Sequence, residues 1–598
     1  MRHRHTLRNS IPLLMKAAGL LTLASAAQAA EFDYAGGKFT VNGAMTLGTS
    51  IRIENRDPSL LYGPNAATIG IKNASNGGRN QDDANLNYDR GDAFYKVLKG
   101  WIRLNYTRDN YGAELSGKAW YDFALNNDAA PWGNSTNGYQ ANTPLSDRGA
   151  ATRSKFSGMV FNDANVFGRN QIGDTAVAWK LGWQRIDWGN QYYAFGGLRD
   201  LMPVDFPAEL RPGVKRDDET RISIPALFAR TEFTPDTAVE AFWQIAFTPN
   251  TPHQCGTFYS QLDFVSEGCD VITIGNSSDP LAIKNGLVVK RAQTVDPSNA
   301  GQFGLALKQK IESLNTEFGL YATQFHSRLS YYSATKSQRP NGPPLIPGDP
   351  GDLNPKYFTE YPEDIRMYAF SFDTELNKDA AVFGELAYRP NQPFQYNAID
   401  ILNGFTSKTA PTPLRPEIDS LAPGETFHGY ERHKSVQLQL GGNLKFTSIL
   451  GAAKGQIGAQ AIYRNVPDLP DVSTVRFRRS DVFGQGPVNG VCNGSSVQCS
   501  NAGYVSDEAY GYRLQANLIY PNVVSGVTLV PSVFFGQDLQ GWSEDGAIVE
   551  GRKLAIVSLK AIINKAFTAE IAWLPTWGGT YNNLSDRSAA QATVGVQF

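Results

Sequence analysis

The sequence predicts an all-β fold: a transmembrane antiparallel β-barrel of the bacterial outer membrane, with about 16 to 18 strands and a loop segment folded into or over its lumen. Two observations support this prediction. Apolar and polar residues alternate with a period of two along many segments of the 598-residue chain, and the turns between these segments are alternately short and long. A mean hydropathy of -0.33, together with the lack of an apolar run of about 18 residues in the body of the chain, excludes a bundle of membrane-spanning helices.

Residues 1–29 are predicted to be a secretory signal peptide. Several basic residues precede a short apolar run at Ala17–Ala27, and Ala27-Gln28-Ala29 supplies the small residues that signal peptidase requires. The run is too short to span a bilayer. We therefore expect residues 30–598 to be exported and to form the barrel. The formal net charge of -2 lacks the basic excess of a nucleic-acid-binding protein, and we expect no such partner.

Export places the four cysteines in an oxidising compartment, where local pairs form disulfides. Cys255 and Cys269 share one polar segment, and Cys492 and Cys499 share another, so we predict these two pairings. The alternative is a metal site in which His253 joins Cys255 and Cys269. No Cys-x-x-Cys or second histidine completes such a site, and we predict no metal and no cofactor.

The alternation starts at Phe39–Ile53 and recurs at Val436–Phe446 and Tyr510–Tyr520, where aromatic residues stand at the ends of the apolar faces. A soluble β-sandwich would also alternate, but it explains neither these terminal aromatics nor the unequal turns. The strands are predicted at residues 38–53, 91–107, 111–123, 153–168, 176–187, 221–233, 238–247, 301–311, 317–332, 365–376, 380–389, 433–446, 455–464, 508–520, 527–537, 552–563, 567–574 and 589–598. Their even number brings both termini to one side, which we predict to be the periplasm.

The inward faces of these strands carry charges of both signs. A strongly anion-selective pore would show one sign only, so we expect these groups to pair across the lumen or to be solvated. The candidate lumen-facing residues are Arg52, Arg103, Lys118, Arg230, Glu240 and Arg513.

Residues 188–220 are too long for a hairpin and too rich in aromatic and apolar residues for a plain exposed loop. We expect this segment to fold into the lumen and to constrict it; the alternative is an outer loop packed on its neighbours. Its candidate ligand-contacting or constricting residues are Trp188, Tyr192, Tyr193, Phe195, Asp205, Arg211, Lys215 and Arg216.

A family resemblance is found around the same segment. Trp179–Arg185, Trp188-Gly189, Pro203-Val204-Asp205, Arg211-Pro212-Gly213 and Cys255-Gly256-Thr257 resemble a proteobacterial outer-membrane family whose domain has no known function and carries the number thirteen-oh-two. Trp183 and Met202 depart from its usual pattern. The resemblance implies a channel-like barrel of a kind often encoded near a periplasmic companion protein of unknown function and a large inner-membrane transporter of the resistance-nodulation-division type. These two proteins are the partners that the resemblance suggests.

The leading functional hypothesis is a gated or narrowed outer-membrane channel for small organic compounds of hydrophobic or amphipathic character, including aromatic ones. A general hydrophilic porin is the nearest alternative. A receptor or adhesin, or a barrel-fold hydrolase, would belong to another class; we predict no enzyme, because no histidine forms a recognisable dyad with a nearby nucleophile. The expected partners are outer-membrane lipid, lipopolysaccharide and the barrel-assembly machinery, the last because the chain ends in Val-Gln-Phe598. The acidic doublets Asp82-Asp83 and Asp217-Asp218 could hold calcium or bridge lipopolysaccharide. Because no Asp-x-Asp-x-Asp-Gly spacing is present, we expect them to be solvated loop charges instead.

Overall fold

The computed structural model describes residues 30–75, 77–173, 175–189, 195–214, 218–492 and 494–598. The predicted signal peptide and the candidates Tyr192, Tyr193, Lys215 and Arg216 lie outside these residues. In this part of the chain, eighteen antiparallel strands close into one barrel, since each strand pairs with the next and β18 pairs with β1. The prediction of an antiparallel barrel with 16 to 18 strands is confirmed.

The barrel strands are β1 (Gly37–Arg52), β2 (Ala93–Arg108), β3 (Tyr111–Asp122), β4 (Ser157–Ile172), β5 (Thr175–Gln184), β6 (Ile224–Thr234), β7 (Thr237–Gln244), β8 (Phe303–Ile311), β9 (Thr316–Phe325), β10 (Ile365–Asn377), β11 (Ala380–Gln395), β12 (Tyr430–Ile449), β13 (Ala452–Asn465), β14 (Glu508–Val524), β15 (Val527–Gln540), β16 (Lys553–Ile563), β17 (Phe567–Leu574) and β18 (Ala589–Gln597).

The two faces of the barrel wall differ as the alternation predicts. In β11, Leu386 and Tyr388 are exposed on the outer face, whereas Glu385 and Arg389 are buried on the inner face. Large apolar side chains are also exposed on most of the other strands, for example Met159 on β4. Such an outward apolar surface is stable when lipid, rather than water, surrounds it. The fold is therefore a transmembrane barrel of the outer-membrane type. The described residues include no helix that is both long and apolar enough to cross a membrane.

Connections of unequal length separate the two ends of the barrel. Every even-numbered strand that is followed by another strand leads into a short turn, such as residues 109–110 after β2 and 378–379 after β10. Every odd-numbered strand leads into a longer connection, such as residues 245–302 after β7. The described chain starts at the short-turn end with the strand Ala30–Tyr34, which pairs with β1, and Phe598 lies at the same end.

The long connections fold on one another. They contain the helices α1 (Gly63–Thr68), α2 (Asp83–Asn87), α3 (Phe123–Asn127), α4 (Phe206–Leu210), α5 (Asp279–Lys284), α6 (Ala398–Thr406) and α7 (Arg415–Ser420). They also contain the 3-10 turns Pro58–Leu60, Ser135–Asn137, Thr152–Ser154, Gly197–Leu201 and Asp481–Phe483, whereas a further 3-10 turn, Glu312–Leu314, lies at the short-turn end. A second sheet has the strand order Thr426–Phe427, Tyr331–Thr335, Lys356–Glu360, Val288–Arg291 and Val271–Thr273. The short strand Thr576–Trp577 pairs with β16.

Both predicted disulfides are present. Cys255 is bonded to Cys269, and Cys492 is bonded to Cys499, and both bonds lie in long connections. The alternative of a metal site with cysteine ligands is therefore wrong, because a disulfide sulfur is not the thiolate that binds zinc.

Candidate functional site in the barrel lumen

The connection between β5 and β6 crosses the interior of the barrel. We call its described residues 195–214 and 218–223 the lumenal segment. Within it, the turn Gly197–Leu201 is followed by α4, whose first turn is capped by Asp205: the carboxylate accepts a hydrogen bond of 3.1 Å from the Ala208 amide. This cap is what a Pro-Val-Asp-Phe-Pro sequence favours, since aspartate is a good N-cap and proline fits the first turn.

One side of the lumenal segment is apolar and packs on an apolar part of the inner wall. Leu198, Leu201 and Met202, together with Trp188, form a single buried cluster with inward-facing residues of β6 to β11. The wall contributes Ile224, Ala226, Phe242, Ala306, Tyr321, Phe325, Ile365, Met367, Ala369 and Ala387. The segment and this wall therefore exclude water from each other, which is the main source of stability for their contact.

Trp188 anchors the start of the crossing. Its indole Nε1 donates a 2.7 Å hydrogen bond to Glu240 on β7, and its ring lies 5.1 Å from the ring of Phe242. The Glu240 carboxylate also binds Arg230 at 2.5 Å and lies 3.4 Å from the Lys308 amine. The predicted lumen-facing residues Arg230 and Glu240 are thus an ion pair between neighbouring strands.

Polar groups of β11 to β13 bind the backbone of the segment. The Glu385 carboxylate accepts a 2.9 Å hydrogen bond from the Leu198 amide, and Arg389 donates one of 3.0 Å to the Gly197 carbonyl. The φ angle of Gly197 is 62°, and a methyl group there would overlap the Glu385 carboxylate. This position therefore requires glycine. Arg464 donates to the Phe195 carbonyl at 3.1 Å.

The opposite side of the segment is acidic and meets a basic part of the wall. Lys118 on β3 binds Asp205 at 2.7 Å, and Lys99 on β2 binds Glu219 at 2.6 Å. Arg103 on β2 binds Asp218 at 2.5 Å. Each cation therefore finds an anion on the segment rather than across an open lumen. The predicted lumen residue Lys118 is thus brought to the predicted segment residue Asp205, whereas the predicted lumen residue Arg103 meets Asp218.

The segment also reaches the strands that close the barrel. The guanidinium of Arg211 lies 4.4 Å from the centre of the Trp120 ring on β3, which is a cation–π distance. A methyl group at Gly48 on β1 would lie 2.8 Å from Pro212 Cβ, so glycine permits this close approach. Gln591 on β18 donates a 3.3 Å hydrogen bond to the Leu210 carbonyl. The lumenal segment is therefore in contact with both sides of the barrel wall.

Two predicted lumen residues have other surroundings. Arg52, at the end of β1, is fully buried and binds Asp586 at 2.6 Å and Asn85 at 2.8 Å, so it holds two long connections together. Arg513 on β14 binds Asp538 on β15 at 2.7 Å. Among the described candidates of the segment, Phe195 has an accessible aromatic ring: the residue is 40% exposed. Its ring lies 6.2 Å from the ring of Phe206.

The acidic doublet Asp82-Asp83 is not solvated as expected. Asp82 and Asp83 are fully buried between long connections, so the prediction that they are solvated loop charges is wrong. Burial, followed by the neighbouring carboxylates, raises the pKa of both well above its ordinary value. The reason is that the loops fold into a structure of their own, which a doublet in a polar stretch of sequence does not reveal.

His326 forms structural bonds rather than a catalytic pair. Its Nε2 binds the Ala300 carbonyl at 2.8 Å, and its Nδ1 accepts a 3.1 Å hydrogen bond from the Asp364 amide. Ser327 bonds to the Leu329 carbonyl instead of to the histidine ring. His326 and Ser327 are neighbours in the chain, but their side chains bind different partners.

Sequence reasoning missed the apolar inner wall, and it missed Arg389 and Gln437, which bind the backbone of the segment. A signal for the wall exists. In β10, Met367 and Ala369 face inward while Tyr368 and Phe370 face outward, so both faces are apolar. A strand that is apolar on both faces lies between lipid and another packed surface, and not between lipid and water.

Comparison with known proteins identifies the family. The family model described as "Protein of unknown function (DUF1302)" matches residues 10–598. The chain belongs to this family. The resemblance stated from the sequence is thus confirmed, whereas no curated protein matches the sequence.

Solved structures resemble this DUF1302 chain weakly. The outer membrane channel DcaP of Acinetobacter baumannii is 11% identical with a TM-score of 0.35, over 96% of this chain and 100% of that chain. OccAB4 of Acinetobacter baumannii is 8% identical with a TM-score of 0.39, over 94% and 97% of the two chains. OccK1 (OpdK) of Pseudomonas aeruginosa is 8% identical with a TM-score of 0.35, over 93% and 98%. At these values the likeness concerns the fold alone and adds nothing about function.

Proposed function

We propose that the chain is an outer-membrane channel for small organic compounds of hydrophobic or amphipathic character, with both termini in the periplasm, and that the lumenal segment narrows its path. One observation carries the proposal: residues 195–214 bind the inner wall on both sides of the barrel. An eighteen-strand barrel is otherwise wide enough for an aqueous pore.

The chemistry of the segment supports the proposed class of compound. A general hydrophilic porin needs a water-filled lumen, but here apolar side chains such as Leu198 and Leu201 occupy part of it. The accessible ring of Phe195 adds an apolar contact surface beside a buried group of charges, in which Arg464 is bound by Glu544 and Asp545 at 3.2 Å and 2.7 Å. Apolar and charged groups side by side suit a molecule that has both characters.

The bonds that hold the segment also supply a means of opening. Arg389 binds Asp200 at 2.8 Å, and the Asp200 side chain is one-third exposed. The opposite contact, between Lys118 and Asp205, is buried from solvent. We therefore propose that the end of the segment near β11 moves first, while the end near β3 stays attached.

The proposal is tested by deleting part of the segment. The refolded mature protein and a variant in which a short Gly-Ser linker replaces residues 195–214 are compared in planar bilayers and in liposome uptake, with sugars and aromatic acids as solutes. We expect a larger single-channel conductance in the variant, and sugar uptake that the intact chain largely prevents. Heat-modifiable migration in gel electrophoresis checks that each barrel is folded.

A second deletion tests whether the lumenal segment or an outer loop limits the conductance. Removing residues 342–348 shortens the proline-rich outer loop Arg339–Pro355 and leaves the lumenal segment intact. If this deletion raises conductance and the deletion of 195–214 does not, the constriction proposal is refuted. Rapid passage of sugars through the intact chain, unaffected by apolar ligands, would indicate a general porin instead.

A further inference from the structure

Four buried aspartates meet where two long connections pack together, away from the lumenal segment. Asp82 and Asp83 belong to the connection between β1 and β2, and Asp263 and Asp279 belong to the connection between β7 and β8. Their exposures are 0%, 0%, 3% and 1%. Carboxylates this deeply buried need compensation by hydrogen bonds, protons or cations.

Asn65 holds two of the carboxylates together. Its amide nitrogen Nδ2 donates to Asp82 at 3.1 Å and to Asp279 at 2.8 Å. One oxygen each of Asp82, Asp83 and Asp279 lie within 4.8 Å of one another. Two ligands on opposite sides of a calcium ion are separated by roughly 5 Å, because each lies about 2.3 to 2.6 Å from the ion. The three oxygens therefore have the spacing of a cation site.

Donors within the described residues do not satisfy this group. Asp83 Oδ1 accepts a 2.6 Å hydrogen bond from the Trp132 indole, but its Oδ2 has no hydrogen-bond partner there. Asp263, which lies against the three through a 3.4 Å bond to the Asp83 amide, likewise leaves its buried Oδ1 without a partner. The ion pair with Arg79, at 3.8 Å from Asp279, supplies one positive charge to the cluster.

We infer that Asp82, Asp83 and Asp279, with Asp263 beside them, bind a divalent cation, Ca²⁺, that links the two connections. The oxygen-only ligand set is that of a hard cation, and ligands from two loops suit the flexible coordination of Ca²⁺ better than the near-ideal octahedron of Mg²⁺. A divalent ion offsets two of the carboxylate charges, while Arg79 offsets a third.

The site has a consequence for the rest of the loop structure. The connection that carries Asp263 and Asp279 also contains Thr251, whose amide and carbonyl bind Val204 and Phe206 at 2.8 Å and 3.2 Å. A cation that stabilises this connection therefore stabilises the support of the lumenal segment. The cation site itself does not depend on the proposed channel function.

Terbium luminescence tests the inference on the intact mature barrel in detergent. Tb³⁺ replaces Ca²⁺ at oxygen sites, and the Trp132 indole, bonded directly to Asp83, is close enough to sensitise it. We expect saturable Tb³⁺ emission on tryptophan excitation, displaced by Ca²⁺ at or below about 1 mM, the range of extracellular calcium modules. Asp83→Asn should weaken binding at least tenfold. The matched control Asp270→Asn alters an exposed aspartate of the same connection and should bind as the unaltered chain does.

Thermal unfolding distinguishes a metal-ligating role of Asp83 from a purely structural one. In EDTA, Asp83→Asn should be at least as stable as the unaltered chain, because it removes one buried charge, and the rise in Tm caused by Ca²⁺ should disappear. The inference is overturned if the folded chain binds neither Tb³⁺ nor Ca²⁺, if Asp270→Asn loses binding equally, or if Asp83→Asn lowers Tm in EDTA while the response to Ca²⁺ persists.

Discussion

Lys118 should hold the lumenal segment to the wall of the barrel. Its amine lies 2.7 Å from Asp205, and their side chains are 5% and 0% exposed. Lys118→Met keeps most of the side-chain volume but leaves a buried carboxylate unpaired, which costs about 3 to 5 kcal/mol. Because each 1.4 kcal/mol changes an equilibrium tenfold, the population with a detached segment should rise roughly 10²- to 4 × 10³-fold. Lys118 also donates to the Glu219 carbonyl, and this bond is lost too.

Hydrogen exchange measures this opening directly. The reporters are the amides of Asp205, bonded to Thr220 at 2.8 Å, and of Ala208, bonded to Asp205. Protection should fall in Lys118→Met and return largely in Lys118→Met/Asp205→Asn, since asparagine is neutral and still caps a helix. Lys38→Met is the control, because its pair with Glu31 is exposed to solvent and contributes little to stability. Unchanged protection in Lys118→Met, or lower protection in the double variant than in the single one, would refute the reasoning.

Three further predictions concern the wall and the long connections. Leu440→Arg, in the middle of β12 and 45% exposed, should destabilise the barrel in lipid by about 2 to 4 kcal/mol. The control Leu450→Arg, 82% exposed at a short turn, should cost about 0 to 1 kcal/mol. Equal losses of unfolding free energy in the two variants would argue against a lipid-facing strand. Burial, followed by the positive charge of Arg211 in the lumenal segment, lowers the pKa of His253 from 6.5 to about 4. Because the unfolded chain binds the proton first, stability should fall as the pH drops from about 6.5 to 4, by at most about 3 kcal/mol from this group. In urea unfolding, His253→Gln should lose correspondingly less stability over the same pH range, and a pH profile identical to that of the unaltered chain would contradict this. Replacing Cys255 and Cys269 by serine opens a loop with a sequence separation of 14, so protection of this connection from proteolysis should fall, with about 3 kcal/mol lost; unchanged cleavage would show that packing alone holds it.

The barrel itself was predictable because each strand reports its own environment. In a sheet that separates lipid from a polar interior, one side of every strand is apolar, so the period-two pattern is visible without knowledge of any partner. Strand order needed no further information, since each strand pairs with its neighbour in sequence. The disulfides were predictable for a similar reason, because each pair of cysteines closes a short local loop.

The interior was only partly predictable. The aromatic content of residues 188–220 indicated a segment that avoids water, but its partners come from strands distant in the chain. Glu385 contacts Leu198 across 187 residues of sequence, and nothing near either residue marks the contact. The same holds for the buried aspartates, because Asn65 joins Asp279 across 214 residues.

The sequence alone therefore determined the strands, their number to within 16 to 18, and the two disulfides, because these follow from local alternation and short loop closure. Tertiary structure decided which wall each side of the lumenal segment contacts and which charges are buried. Burial and ion pairing depend on groups that only the closed barrel and its packed loops bring within a few ångströms of one another, and local sequence does not encode that distance.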